Sequence, residues 1–290
     1  MMISIIMPTY QNAQFIGRAI DSVLNQSFKD FELIIIDNFS SDETEEIVKS
    51  YDDSRISYRK FKNFGIISKS RNEGIKESNG KFIAFLDSDD WWHKDKLKIC
   101  FSKMNNSDFI YHKVRIIKKN RRINLFNFGR RPFKKNLHHS LLDFGNFIPN
   151  SSVIISRSLI ERAGLISENP DKVTWEDFDY WIKISKVNKK YKFINKALGY
   201  YWIGDSNNTT SLRTRENISN MKKILFSESR PPIWLEYQDA ISLHEIGEVR
   251  NSILKLRSLV YHERPTLHIK IKILIRLFQF SIMSFFLRNE

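Results

Sequence analysis

At 290 residues with 41% hydrophobic side chains, the chain can bury one large core and carry an appended helical piece. Its single cysteine, Cys100, excludes an internal disulfide framework and fits a reducing, cytoplasmic compartment. The formal charge of +14 is uneven: between Phe109 and Leu142 ten basic residues occur with no Asp or Glu. They are Lys113, Arg115, Lys118, Lys119, Arg121, Arg122, Arg130, Arg131, Lys134 and Lys135, and such a block calls for nucleic acid, anionic lipid or a phosphorylated substrate nearby.

In chain order, residues 1–7 are apolar but lack a basic leader and stop at Pro8, so they read as a first buried strand and not as a secretory signal. Strands over residues 3–7, 31–36, 56–59 and 81–86 alternate with helices over 16–25, 44–51 and 67–77. Leu33-Ile34-Ile35-Ile36 and Phe82-Ile83-Ala84-Phe85-Leu86 are apolar throughout, the pattern of strands covered on both faces. This alternation predicts a Rossmann-like α/β layer structure. Beyond Leu142 the spacing predicts a strand at 150–156, a helix at 177–186, and strands at 191–194 and 198–203. From about residue 216 the chain reads as helical, with a break at Arg230-Pro231-Pro232.

Ligands of such sheets bind at the carboxyl ends of the strands. There the sequence delivers Pro8-Thr9-Tyr10, then Asp37-Asn38-Phe39-Ser40-Ser41-Asp42, then Asp87-Ser88-Asp89-Asp90. A carboxylate-rich edge on a strongly basic protein suggests a cation site. Hard divalent ions take oxygen ligands, commonly one or two carboxylates plus substrate phosphates, and Asp87 and Asp89 offer that beside a buried strand. An isolated Asp-x-Asp is otherwise no more than a solvated turn. Farther on, Trp175-Glu176-Asp177-Phe178-Asp179 sets acids at a helix start, where the macrodipole favours them and where one can also serve as a proton acceptor.

These segments resemble glycosyltransferase family 2, inverting enzymes with the GT-A fold. The likeness runs from about residue 4 to 202. It is carried by Ile5-Ile6-Met7-Pro8-Thr9-Tyr10, Phe31-Glu32-Leu33-Ile34-Ile35-Ile36-Asp37, Asn63-Phe64-Gly65, Ser70-Arg71-Asn72-Glu73-Gly74 and Gly80-Lys81-Phe82-Ile83-Ala84-Phe85-Leu86-Asp87-Ser88-Asp89-Asp90. The resemblance implies a GT-A mixed sheet flanked by helices over residues 1–215, with a nucleotide-sugar half to about 105 and an acceptor half after it. Residues 216–290 form a helical extension that can associate with membrane.

By the same resemblance, Thr9, Tyr10, Asp37, Arg71, Asp87 and Ser88 frame a UDP-sugar. Asp89 holds Mn²⁺ or Mg²⁺, with Asp87 and Asp205 as further candidates, and Asp177 is the catalytic base. Trp175 and Glu176 fall on the acceptor side together with Arg121, Arg122, Arg130 and Arg131. Two departures stand out. Asn38 occupies a place where the family commonly has an acid, and Tyr201-Trp202-Ile203-Gly204-Asp205-Ser206 lacks the arginine and histidine of the family's Tyr-Arg-x-His.

The apolar tail, residues 267–287, is interrupted by Lys270, Lys272 and Arg276. It suits a helix lying in a membrane interface, or one packed on protein or on a second copy in a homodimer. The expected enzyme transfers a hexose, glucose or galactose, from a UDP-sugar to a lipid-diphosphate-linked saccharide such as GlcNAc-diphospho-undecaprenol in O-antigen assembly. It would work at the inner face of the cell membrane, on an anionic surface and without nucleic acid. One rival, a sugar nucleotidyltransferase, needs a glycine-rich phosphate loop after the first strand, and no glycine occurs before Gly17. The other, a non-enzymatic basic protein binding membrane or nucleic acid, leaves the strand-end acids without purpose.

Overall fold

The computed structural model describes residues 2–119, 126–204, 211–261 and 267–286. Arg121, Arg122 and Asp205 lie outside the described residues. Two compact units are formed, one from Met1–Leu141 and Asn146–Asn207, the other from Leu142–Gly145 and Asn208–Glu290.

The first unit opens with the strand β1 (Ile3–Thr9), helix α1 (Ala13–Leu24), strand β2 (Phe31–Asp37), helix α2 (Thr44–Lys49), strand β3 (Ile56–Lys60), helix α3 (Ile67–Glu77) and strand β4 (Phe82–Phe85). β1 pairs in parallel with β2 and β4, and β2 with β3. Every residue of β1 and β4 is buried, and β4 reads as an unbroken apolar run, while in β1 only Ser4 and the terminal Thr9 are polar. α1 turns Ile16, Ala19, Ile20 and Val23 inward at helical spacing. α3 approaches β1 so closely that a Cβ on Gly74 would sit 2.6 Å from Ile6; the glycine lets the helix settle and fixes the height of Arg71.

The sheet then turns mixed. β5 (Trp91–Trp92) and α4 (Lys96–Phe101) follow the Asp87–Asp90 turn, then come β6 (Phe109–Lys118), β7 (Asn127–Phe128), α5 (Leu137–Phe144), β8 (Ile154–Ser156), α6 (Arg157–Ala163), α7 (Glu176–Val187) and β9 (Tyr191–Ile203). The strand order is β3-β2-β1-β4-β8-β6-β9-β5, with β7 paired to β6; β8 runs antiparallel to both β4 and β6, while β6 and β9 are parallel.

Three expectations change. The start of the basic block is a central strand, because Phe109–His112 and Val114 are buried while the charges gather at its far end. The strand expected over 150–156 begins instead as a 3₁₀ turn, Asn150–Ser152, whose side chains bond the acidic loop and leave only Ile154–Ser156 extended. The two strands expected after 190 are one, bent where the register against β6 slips at Lys113.

The second unit holds α8 (Ser211–Leu225), α9 (Ile233–Glu245), α10 (Val249–Val260) and α11 (Leu267–Phe286), packed around Ala240, Leu256, Leu259 and Ile273. Lys222 and Lys255 both bind Glu236 and Asp239, a four-charge network between α8, α9 and α10.

Candidate active site

The carboxyl ends of β1, β2 and β3 form one edge. Thr9 and Asp37 are register partners there, and the Thr9 hydroxyl is buried with no hydrogen-bond partner among the described residues. Asp37 is fully buried and already supplied with donors: the Ser40 hydroxyl at 2.5 Å, the Ser40 amide at 3.1 Å and the Tyr58 hydroxyl at 2.6 Å. Burial and this bond to Asp37 raise the Tyr58 phenol above its ordinary range. Asp37 therefore shapes the loop after β2 before it touches anything else. Around it the backbone is strained, with Gln11, Phe39 and Phe64 at φ of 48°, 57° and 57°. Beside the strained turns the rings of Tyr10, Phe39 and Phe64 stand out to solvent, 55–70% exposed.

The acidic loop after β4 keeps its three carboxylates apart in role. Asp90 is buried, accepts hydrogen bonds from Ser151 Oγ (2.6 Å) and the Trp202 amide (2.9 Å), and is raised well above the ordinary carboxylate range by burial and then by Asp89 and Asp87. Asp87 accepts from Arg71 Nη2 (2.8 Å) and Asn150 Nδ2 (3.0 Å). Asp89 has no side-chain donor among the described residues, and burial followed by the Asp87 charge lifts it to about 6. Its carbonyl is held by Arg18 Nη2 at 2.8 Å, and that guanidinium lies 3.6 Å from the Trp91 ring centre. Ser88 is buried and accepts from Asn12 Nδ2.

Among the described residues no three His, Cys, Asp or Glu side chains converge as a metal cage. The chemistry present suits a hard cation shared with a diphosphate: a carboxylate that, among the described residues, makes no salt bridge and feels only the nearby Arg18 charge, and whose own charge is disfavoured by burial and by Asp87.

Arg71 connects this loop to α7. Its guanidinium is buried and grips Asp87 with one arm and Glu176 Oε1 with the other (2.6 Å). Burial works against its charge, but Asp87 and Glu176 together keep it raised. Asp177 follows as the second residue of α7, preceded by Thr174 at φ 80°, a costly conformation for a β-branched residue. Its carboxylate accepts from its neighbour's amide, Phe178 N (2.6 Å), and from Asn146 Nδ2 (3.2 Å). Burial, then Glu176, push it up to about 7. A carboxylate with that affinity for protons suits general base work at neutral pH.

The structure thus brings Thr9, Tyr10 and Asp37 to one edge, and Arg71, Asp87, Ser88, Asp89 and Asp177 to the loop and helix start beside β4. Trp175 and Glu176 are both buried. Glu176 is turned to Arg71, and the Trp175 indole N–H donates to the Asp171 carbonyl. Arg130 is half-buried, 3.9 Å from the Phe133 ring centre, and Arg131 is exposed. Sequence reasoning missed Arg18, Asn146, Asn150 and Ser151, all of which contact the acids. No spacing announces them, since each arrives from a separate segment.

A family model, Glycosyl transferase family 2, matches residues 4–165. The chain belongs to glycosyltransferase family 2. It is 35% identical over 214 residues, 71% of its length, to an uncharacterized glycosyltransferase of Rickettsia conorii, and the match spans 34% of that longer protein. It is 34% identical over 189 residues, covering 64% of this chain and 71% of the other, to the Escherichia coli UDP-Glc:α-D-GlcNAc-diphosphoundecaprenol β-1,3-glucosyltransferase WfgD. Among solved structures it resembles the Pyrobaculum calidifontis mannosyltransferase PcManGT in complex with GDP-Man and Mn²⁺. The TM-score is 0.59 at 13% identity, over 98% of this chain and 80% of that one, a likeness of GT-A fold.

Proposed function

We propose that the protein transfers a hexose, glucose or galactose, from a UDP-sugar to a lipid-diphosphate-linked saccharide with inversion, as a step in surface polysaccharide assembly. The observation that carries this reading is the pairing of two differently prepared acids: Asp89, without a salt bridge among the described residues, and Asp177, held at about 7, linked through Asp87, Arg71 and Glu176. Thr9, Tyr10 and Asp37 frame the uridine, and the unpartnered Thr9 hydroxyl is available to it. Asp89, with Asp87 nearby, would hold Mn²⁺ or Mg²⁺, which as a Lewis acid neutralises charge on the departing diphosphate.

Asp177 takes the proton of the acceptor hydroxyl as its oxygen bonds to the anomeric carbon from the face opposite UDP. The bond to the diphosphate oxygen breaks, and UDP leaves with the electron pair. Asn146 and the Phe178 amide hold the Asp177 carboxylate in place during transfer. A UDP-α-sugar then gives a β-linked product. The name of WfgD supports the acceptor, GlcNAc-diphospho-undecaprenol being the first to try, and it supports UDP-glucose as the first donor.

The sheet-bearing unit carries the reaction, and the helical unit meets the inner face of the membrane. No helix among the described residues is long and apolar enough to cross a membrane. On α11, however, Ile271, Leu274, Ile275 and Phe278 are exposed at helical spacing, with Lys272 and Arg276 beside them, a face suited to an anionic interface. Screening UDP-sugars on a synthetic lipid-diphosphate acceptor, with and without metal, tests the reading. β-Linked product that depends on metal is expected, and an α-linked product from a UDP-α-sugar refutes it.

A further inference from the structure

The sheet-bearing unit has a second concave surface, a cleft of about 500 Å³ between the start of α5, the end of α7 and the first residue of β9. It lies at the other end of α7 from Asp177: Lys186, in the cleft, is about 13 Å along the helix from the acid, at 1.5 Å per residue. Lys135, Lys186 and Lys189 line it together with His138, and no carboxylate does. None of these lysines has an ion-pair partner among the described residues. Some lysines of this unit do find acids, as Lys49 finds Glu45 at 2.7 Å and Lys172 finds Asp179 at 2.8 Å.

Lys186, in the last turn of α7, is favoured by the negative end of that helix. Lys189 lies beyond the helix and Lys135 comes from another segment, so the dipole does not explain the convergence. Asn136 and Leu137 add the positive start of α5 to the same cleft. The cleft is also built: the Tyr191 hydroxyl donates to the Lys135 carbonyl at 3.1 Å, and His138 Nδ1 meets Ser185 Oγ at 3.1 Å. Its composition, three ammonium groups without ion-pair partners among the described residues beside the side-chain amides of Asn136 and Asn188, matches a multiply charged oxyanion.

We infer that this cleft is a phosphate-binding site, separate from the strand-end acids, and that during turnover it receives the phosphate-bearing part of the acceptor. The second half of that statement rests on the proposed transfer reaction; the first does not. The test is titration calorimetry of inorganic pyrophosphate in EDTA, which leaves the acidic loop without metal, on the full chain. The variants are Lys135→Gln/Lys186→Gln/Lys189→Gln and, as a matched charge control, Lys98→Gln/Lys103→Gln/Lys196→Gln, three exposed lysines outside the cleft.

Pyrophosphate affinity should fall on the order of tenfold or more in the cleft variant, stay unchanged in the control, and weaken with salt in the wild type. Equal affinity in wild type and cleft variant overturns the site. Kinetics then distinguish the source of the phosphate. A KM rise for lipid-diphosphate-linked GlcNAc, with none for the O-alkyl glycoside and with kcat and donor KM unchanged, supports the acceptor's diphosphate. Lost pyrophosphate binding with both acceptors unaffected keeps the site but overturns its role in acceptor binding, leaving free phosphate as its ligand. Failure of the transfer reading itself would show as no product with any acceptor, whatever the calorimetry gives.

Discussion

Two charged clusters in this protein follow opposite arithmetic. In the helical unit Lys222 and Lys255 face Glu236 and Asp239, two charges of each sign, and every member is paired. Burial opposes the two acids' charge there, but the lysine hydrogen bonds outweigh it and hold both acids below the ordinary carboxylate range. In the sheet-bearing unit the guanidinium of Arg71 is shared between Asp87 and Glu176, while Asp89, Asp90 and Asp177 are all raised, first by burial and then by a neighbouring carboxylate. The balanced cluster is complete as it stands and needs nothing but the fold. The unbalanced one stores negative charge that a cation and a proton can relieve, and this excess is what a metal-assisted, base-assisted transfer requires.

The largest effect should come from Asp177, the proposed proton acceptor. Asp177→Asn is expected to lower kcat by about 100- to 10,000-fold while leaving UDP-sugar affinity, read by calorimetry, within twofold. Retained turnover would place the base elsewhere. Next, Asp89→Asn should cost on the order of a hundredfold in metal-stimulated activity and abolish the dependence of UDP binding on Mn²⁺. If UDP still binds more tightly with metal in that variant, the cation site lies off Asp89.

A pH profile sharpens the contrast further. The base must be ionised to work, so kcat/KM should rise with pH through a midpoint near 7. Glu176 raises Asp177, so Glu176→Gln should move that midpoint to lower pH by about one unit; a static midpoint would deny the coupling. The same shift has a stability consequence of defined sign. With its proton affinity lifted from 3.8 to about 7, Asp177 holds its proton in the folded chain where the unfolded chain has lost it. Stability from this group therefore falls as pH rises from about 4 to about 7. Melting curves should show Asp177→Asn gaining a few degrees over wild type at pH 8 and nothing at pH 4.

The smallest effect belongs to the balanced cluster. Asp239→Asn should lose about 1–2 kcal/mol of stability by chemical denaturation and leave kcat unchanged. A catalytic defect there would mean that the helical unit shares in the chemistry.

The parallel half of the sheet was plain in the residues themselves. Ile3–Thr9, Phe31–Asp37 and Phe82–Phe85 are read directly because burial on both faces leaves no polar alternation to confuse the pattern, and the acids that end two of them follow at once. The motifs around Asp37, Asp87 and Asp89 likewise carried the family. Their division of labour was not there to read. Asp89 and Asp90 are adjacent and chemically identical, and only Ser151 from a distant turn and the Trp202 amide from a distant strand make Asp90 a structural acid and leave Asp89 without such partners among the described residues.

Glu176 reads as one of several first-turn acids, and only the packing of Arg71 against it gives it a partner. The fold buries Lys96 completely against Trp92, and burial drives its amine down to about 7. Local pattern and periodicity determined which segments are strands, which are helices and where the acids gather. Desolvation and charge pairing, which depend on neighbours far apart in the chain, were decided by tertiary structure alone, because a carboxylate's proton affinity is set by what surrounds it and not by what precedes it.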